Sequence, residues 1–344
     1  MSPHTTPVPA PVSGAAPVAV PGELAVRRRA GFDRPGYSGP SRSRRIPPVA
    51  ARFLTEQPML VVGAADRGGR LWASLLTGPP GFLRAEPGAP GTMSDGESSD
   101  AVAIAARPVA GDPLAAALSG PVRVGMIALQ PARRRRMRMN GRARPTAGPG
   151  LRVELDEVFS NCPKYIQGRE PWVEPGSTPG VPLRGSELTP DQQELIRRAG
   201  TFFVATADRH GDVDASHRGG SPGFVQLRDA RRLRWPDYLG NAMFCTLGNL
   251  AENPAAGLLF VDWASGDTLQ LTGTARTDWD ERHAAEVPGA ERLVEFTVME
   301  VVATPQASPL RWTRAEYSKF NPPAPGPISA ADPISPPTSV PGSR

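Results

Sequence analysis

The chain repeats itself. Residues 66–82 read DRGGRLWASLLTGPPGF, and residues 208–224 read DRHGDVDASHRGGSPGF. The two segments align without a gap, 142 positions apart (66 to 208). Asp66/Asp208, Arg67/Arg209, Gly69/Gly211, Ala73/Ala215, Ser74/Ser216, Gly78/Gly220, Pro80/Pro222, Gly81/Gly223 and Phe82/Phe224 are identical pairs. A second block follows at a shorter spacing, 132 positions (125 to 257), in Gly125/Gly257, Gly141/Gly273, Ala143/Ala275 and Arg144/Arg276. Order and spacing agree in two separate blocks, so the chain is expected to hold two copies of one small unit. The Asp-Arg-Gly-Gly run at 66–69 is a hairpin turn signal between two apolar stretches.

Short apolar runs punctuated by Gly, Pro, Asn and Asp predict many strands and few helices. Strands are expected at 59–65, 70–77, 101–106, 122–130, 133–144 and 151–158 in the first copy. In the second copy they are expected at 201–207, 212–218, 222–228, 256–262, 268–277 and 292–303. A short helix fits 49–57, and Asp112 followed by Pro113 suggests another start. Thr189, Pro190 and Gln192 form a capping box with a first-turn proline, and Leu195, Ile196 and Ala199 follow as an apolar stripe. They predict a helix over 190–199.

Many of the 41 prolines lie before residue 50 or after residue 304. Residues 1–44 and 305–344 therefore read as disordered Pro-rich ends. Between them, the expected units are 45–167 and 189–304, joined by a proline-rich linker at 168–188.

Nearly all the positive charge is arginine, Lys164 and Lys319 being the sole lysines. Cys162 and Cys245 are the two cysteines, too few for a disulfide framework or a zinc site, and no metal site is expected. No run approaches the roughly 18 apolar residues of a membrane span. The N-terminal residues lack the layout of a signal peptide. These features lead to an expectation of a cytoplasmic protein.

Residues 201–276 resemble the flavin-nucleotide-binding split barrels related to pyridoxamine 5′-phosphate oxidase. The carrying segments are FFVATADRHGDVDASHRGGSPGF (202–224), WPDYLGNAMFCTLGNLAENPAAGLLFVDW (235–263) and LQLTGTAR (269–276). RRRMRMNG (134–141) and NCPKYIQ (161–167) add to it in the first copy. The resemblance implies a mainly β chain of two tandem six-stranded antiparallel split barrels with short helices. Family members usually dimerise around flavin mononucleotide (FMN), so here the two copies could form that pair within one chain. A homodimer is the other arrangement. The substrate-binding C-terminal Arg and His pattern of true pyridoxamine phosphate oxidases is not found.

FMN needs cations and N–H donors for its phosphate, an apolar wall for its ring and hydrogen bonds along the ring's polar edge. Ser216 and Arg218 share one face of a strand, beside His217 and the close-approach glycines Gly219 and Gly220. Thr246, Leu247, Gly248 and Asn249 begin a helix whose free N–H groups suit a phosphate, although the related oxidases carry a basic pair there. Lys164 and Tyr165 are expected to cross from the first copy and close the cleft. In the first copy Leu75, Leu76 and Thr77 replace His217, Arg218 and Gly219, which predicts one working site per chain. No residue stands out as a catalytic acid or base.

The leading reading is a flavin-dependent oxidoreductase of unknown substrate, acting on a small molecule or electron donor. A non-enzymatic binder or sensor of flavin or haem is the alternative, and a deazaflavin could replace FMN. The basic run Arg133–Arg138 could contact nucleic acid through phosphates, but it lacks the aromatics of a stacking platform; in a paired arrangement the strand face of Arg134, Arg136 and Arg138 could instead line the flavin cleft.

Overall fold

A computed structural model describes residues 21–32, 42–87, 99–160, 162–240 and 243–326. Residues 1–20 and 33–41 of the expected arm (1–44) and residues 327–344 of the expected tail (305–344) lie outside these residues. The first barrel contains β1 (Met59–Ala65), β2 (Leu71–Thr77), β3 (Leu83–Glu86), β4 (Ala101–Ile104), β5 (Val122–Gln130), β6 (Arg135–Pro145) and β7 (Leu151–Ser160). Two short strands, β8 (Pro171–Val173) and β9 (Leu183–Gly185), lie in the linker. The second barrel contains β10 (Thr201–Ala207), β11 (Val213–Gly219), β12 (Gln226–Leu227), β13 (Arg232–Tyr238), β14 (Ala255–Val261), β15 (Thr268–Asp278) and β16 (Ala290–Thr304). β17 (Leu310–Trp312) pairs with β8.

The first sheet runs β2-β1-β5-β6-β7-β4-β3 and the second β11-β10-β14-β15-β16-β13-β12. Counted from the start of each barrel, the two orders are identical. The short β3 in the first barrel and β13 in the second extend the expected six strands by one in each. Among the described residues, five short α-helices accompany the sheets: α1 (Pro21–Arg29), α2 (Pro48–Thr55), α3 (Pro190–Arg198), α4 (Cys245–Glu252) and α5 (Glu281–Ala285). Among the same residues no helix is long and apolar enough to cross a membrane.

Alternation along the central strands explains why the barrels pack face to face. On β1, Leu60 and Val62 enter the first core, while Met59 and Val61 point the other way into a third cluster. On β10, Phe202 and Val204 enter the second core, while Phe203 and Ala205 join that same third cluster. β5 and β14 divide their residues likewise, with Ile127 and Leu259 in the shared layer. Both faces of these strands are buried, so they read as continuous apolar runs rather than alternating ones. The shared layer is an interface between two barrels of one chain.

Two repeated glycines let the barrels approach. A Cβ on Gly125 would sit 2.5 Å from the Asp214 Cα on β11. A Cβ on Gly257 would sit 2.6 Å from the Trp72 Cα on β2. Each barrel thus offers the same glycine to the other's second strand.

The sequence reading departs from the structure in four places. Residues 21–32 are not unstructured: α1 lies across α4, and the Gly22 N–H donates to Glu252 Oε1 at 2.8 Å. Gly22 and Gly248 meet there, a contact that composition does not reveal. The helix expected at Asp112 is a series of turns. β13 escapes a reading by pattern because its arginines and Pro236 mask a strand that is nonetheless paired to β16 along its length. The linker and the start of the tail are ordered by the β8–β17 pair.

The α3 cap is present as expected. Gln192 N donates to Thr189 Oγ1, and Thr189 N donates to Gln192 Oε1 at 3.0 Å. Thr189→Ala should cost about 1 kcal/mol, read as a lowered urea midpoint with unchanged slope.

Candidate functional site

The site is built on β11, whose residues alternate between two surroundings. Ser216 and Arg218 face elements of their own barrel. Ser216 Oγ lies 3.0 Å from Thr246 Oγ1 on α4. Arg218 Nη1 donates to Asp237 Oδ1 on β13 at 2.8 Å, and Arg292 Nη1 on β16 donates to the other carboxylate oxygen at 2.8 Å. His217 faces the first barrel. Its ring meets Phe203 edge-on at 5.7 Å between centroids.

The first barrel supplies β6. Arg136 Nη1 donates to His217 Nδ1 at 2.9 Å and to the His217 carbonyl at 3.3 Å. Arg138, 2% exposed, forms an ion pair with Asp214 on β11. The barrels are therefore bonded by charge as well as by apolar packing.

A third element crosses between them. Residues 162–167 leave β7's end and run over β11, with Tyr165 in the left-handed region at φ 66°. A Cβ on Gly219 would sit 2.0 Å from the Tyr165 carbonyl, so only glycine admits this crossing. The Tyr165 hydroxyl donates to the Leu239 carbonyl at 2.7 Å, and its ring lies 5.1 Å from that of Tyr238. Gln167 fixes the segment. Its amide nitrogen donates to the carbonyls of Tyr165, Gly200 and Gly220, and its oxygen accepts from Ser318 N and Asn321 Nδ2.

These elements line a cleft that opens to solvent. Arg136, Arg138, Arg218, Lys164 and His217 contribute its polar lining, and Tyr165, Tyr238 and Phe224 its aromatic lining. Asp214 and Asp237 are already engaged with Arg138 and with Arg218 and Arg292. Arg136 has no carboxylate partner among the described residues. Burial, followed by repulsion from Arg138 and Arg218, pushes its pKa down to about 9. Its guanidinium still carries charge at neutral pH, and repulsion of this kind is what a bound anion relieves. Burial, followed by repulsion from Arg136 and Arg218, holds His217 well below the ordinary imidazole value. Several buried polar atoms lack partners among the described residues: Arg218 Nη2, His217 Nε2 and the Tyr238 hydroxyl.

Six of the ten residues expected from sequence line this one cleft: Ser216, His217, Arg218, Gly219, Lys164 and Tyr165. The α4 group stands apart. Thr246 touches Ser216 from behind. Leu247 belongs to the second core. Gly248 lies under α1, where a Cβ would be 2.7 Å from Glu23 N. Asn249 donates to Thr206 Oγ1 and lines a different, polar hollow beyond Asp214. The helix start expected to meet a phosphate is thus covered by α1 and the core.

Arg136 and Arg138 are legible in the sequence only as part of a basic run. Arg138 is buried, whereas Arg133 and Arg135 are exposed, so the run does not form one basic surface. Comparing the repeats marks the asymmetry. Arg138 pairs with Ile127 across β5, and Gln270 pairs with Leu259 across β14, in corresponding registers. At this second position Gln270 Nε2 donates to the Ala73 carbonyl, Ser74 Oγ and Asp112 Oδ2, each at 3.0 Å. Ser74 Oγ donates to Asp112 Oδ1 at 2.7 Å. Where one side of the interface holds a cleft, the other holds a closed hydrogen-bond network.

Residues 188–316 match the family model described as pyridoxamine 5′-phosphate oxidase. The match covers the second barrel. This barrel supplies β11 and the rear wall of the cleft, and the first barrel supplies β6. No curated protein matches the chain.

Similar solved structures include HupZ from Group A Streptococcus, at 18% identity and TM-score 0.28, covering 32% of this chain and 89% of that one. A Clostridium acetobutylicum protein related to general stress protein 26 is 15% identical with TM-score 0.26, covering 36% of this chain and 92% of its own. An FAD-binding protein from Mycobacterium smegmatis is 14% identical with TM-score 0.25, covering 35% and 98%.

Proposed function

We propose that the chain is an FMN-binding protein of the flavin-dependent oxidoreductase type, with the flavin in the cleft between its barrels. The observation that carries this reading is the cleft's division of labour, on a barrel that matches the oxidase-family model: guanidinium and imidazole groups beside an aromatic wall. A phosphomonoester is a near-dianion at neutral pH with three acceptor oxygens. Arg136, Arg218 and Lys164 would hold that group. Tyr165, Tyr238 and Phe224 would bound the isoalloxazine ring and keep water from it. The unpartnered donors at Arg218 and His217 fit acceptors on such a ligand.

When bound, FMN would supply the hydride or electron chemistry itself. The chain's residues would hold and orient it, and no side chain in the cleft is assigned as an acid or base. The two-barrel chain would serve as its own dimer.

Titration of FMN into the purified chain, followed by quenching of flavin fluorescence, should reach one equivalent per chain. Arg136→Ala should weaken binding about tenfold or more, the loss of a charged hydrogen bond. A wild-type chain that binds no FMN at tens of micromolar would remove the cofactor assignment while leaving the fold intact.

A further inference from the structure

The bond between Arg136 and His217 fixes which imidazole nitrogen carries the proton. A guanidinium has donors and no acceptor. Arg136 Nη1 lies 2.9 Å from His217 Nδ1, so Nδ1 is the acceptor of that bond. A neutral imidazole carries its proton on the other nitrogen, which places N–H at Nε2. That nitrogen is buried and has no partner among the described residues. A buried donor left unmade costs about 1–3 kcal/mol, so its retention in a cleft wall calls for an acceptor from outside the chain.

The surroundings indicate the acceptor's charge. The groups facing the ring are the Arg136 guanidinium from β6 and Phe203 from β10, while Arg218, turned toward Asp237 in its own barrel, adds to the positive field around it. Lys164, Arg138, Cys162, Tyr165 and Tyr238 complete the titratable lining of the cleft. No carboxylate is among the lining residues. An acceptor arriving in a cleft lined by cations and by no carboxylate is an anion.

We infer that His217, fixed by Arg136 as its neutral Nε2–H form, is a dedicated donor to the phosphoryl oxygens of the ligand and distinguishes phosphorylated from unphosphorylated occupants. This inference rests on the cleft being the ligand site. The fixed form gives it a character unlike an imidazolium clamp. A second proton would have to sit on Nδ1, against the Arg136 donor, so binding uses the neutral ring. The charge comes from arginine, and His217 adds direction.

The test compares FMN, riboflavin and inorganic sulfate on the full chain, with His217→Leu and His217→Gln, the latter restoring an N–H donor at similar reach. His217→Leu should lose about tenfold in FMN affinity, the size of one hydrogen bond to a charged acceptor. Riboflavin affinity should stay unchanged, and His217→Gln should recover most of the FMN loss. Sulfate, a dianion throughout, should protect the wild type against thermal unfolding equally at pH 5.5 and pH 8.

Equal losses for FMN and riboflavin would make His217 structural and overturn the inference. So would sulfate protection that disappears as pH rises through about 6.5, the mark of a charged ring. If wild type binds sulfate through His217 but no flavin, the donor assignment stands and the FMN reading falls. If it binds FMN and His217→Leu loses nothing, the FMN reading stands and this inference falls.

Discussion

Gly257→Val should destabilise the chain by about 3 kcal/mol, at the upper end of what overpacking costs in a rigid interior. A Cβ at this position would lie 2.6 Å from both the Leu71 carbonyl and the Trp72 Cα. Those are backbone atoms of a strand paired to β1 along its whole length, so they cannot swing aside as a flexible side chain would. The barrels must separate locally, or β2 must leave its sheet. Gly125→Val makes the mirror-image test, since its Cβ would lie 2.5 Å from the Asp214 Cα. The two substitutions should lower the urea midpoint similarly. Only Gly125→Val should also weaken ligand binding, because it displaces the strand that carries Ser216 to Gly219. A wild-type midpoint for either would mean that the barrels do not pack through these strands.

Asp214→Ala should cost about 3–5 kcal/mol, the range for stranding one member of a buried ion pair. Arg138 is 2% exposed and its Asp214 partner 3%, so water cannot replace the lost carboxylate. Asn140 Nδ2 donates to the same carboxylate at 3.4 Å and would lose that bond as well. The double variant Arg138→Met/Asp214→Ala should be more stable than Asp214→Ala, because it removes the buried charge together with its partner. Denaturant unfolding of the four members of the cycle gives the coupling directly. A coupling near zero would show that the pair does not join the barrels.

Much of this architecture is legible in the order of the residues alone. Gly125 and Gly257 stand out as a matched pair in the sequence, and the reason is a contact each makes with the other barrel. Thr189, Pro190 and Gln192 signal a helix start through local chemistry. β13 is not legible in that way. Its arginines and Pro236 read as a loop, yet Arg234 and Asp237 are buried because their partners come from other elements: Gln226 from β12 for one, Arg218 and Arg292 for the other. The cleft divides similarly. Ser216 to Gly219 form a contiguous run that sequence can single out. Arg136 lies far away in the chain and reaches His217 only after both barrels have folded and docked. Leu247 and Gly248 look like a free helix start until α1, hidden in a proline-rich stretch, is found lying over it.

The network of Gln270, Ser74 and Asp112 has a consequence for how such a chain can diverge. A symmetric pair of identical barrels must keep or lose both of its sites together, since every substitution is copied. Here the chain's own Asp112 takes hydrogen bonds at the position related to the open cleft. One interface edge holds a closed internal lock, while the other keeps Arg136 without a carboxylate partner among the described residues. With the two edges encoded separately, the lock can hold the barrels in register whatever the occupancy of the cleft. The cleft's residues are then free to be tuned for a ligand without the loss of assembly that the same changes would bring to a true homodimer.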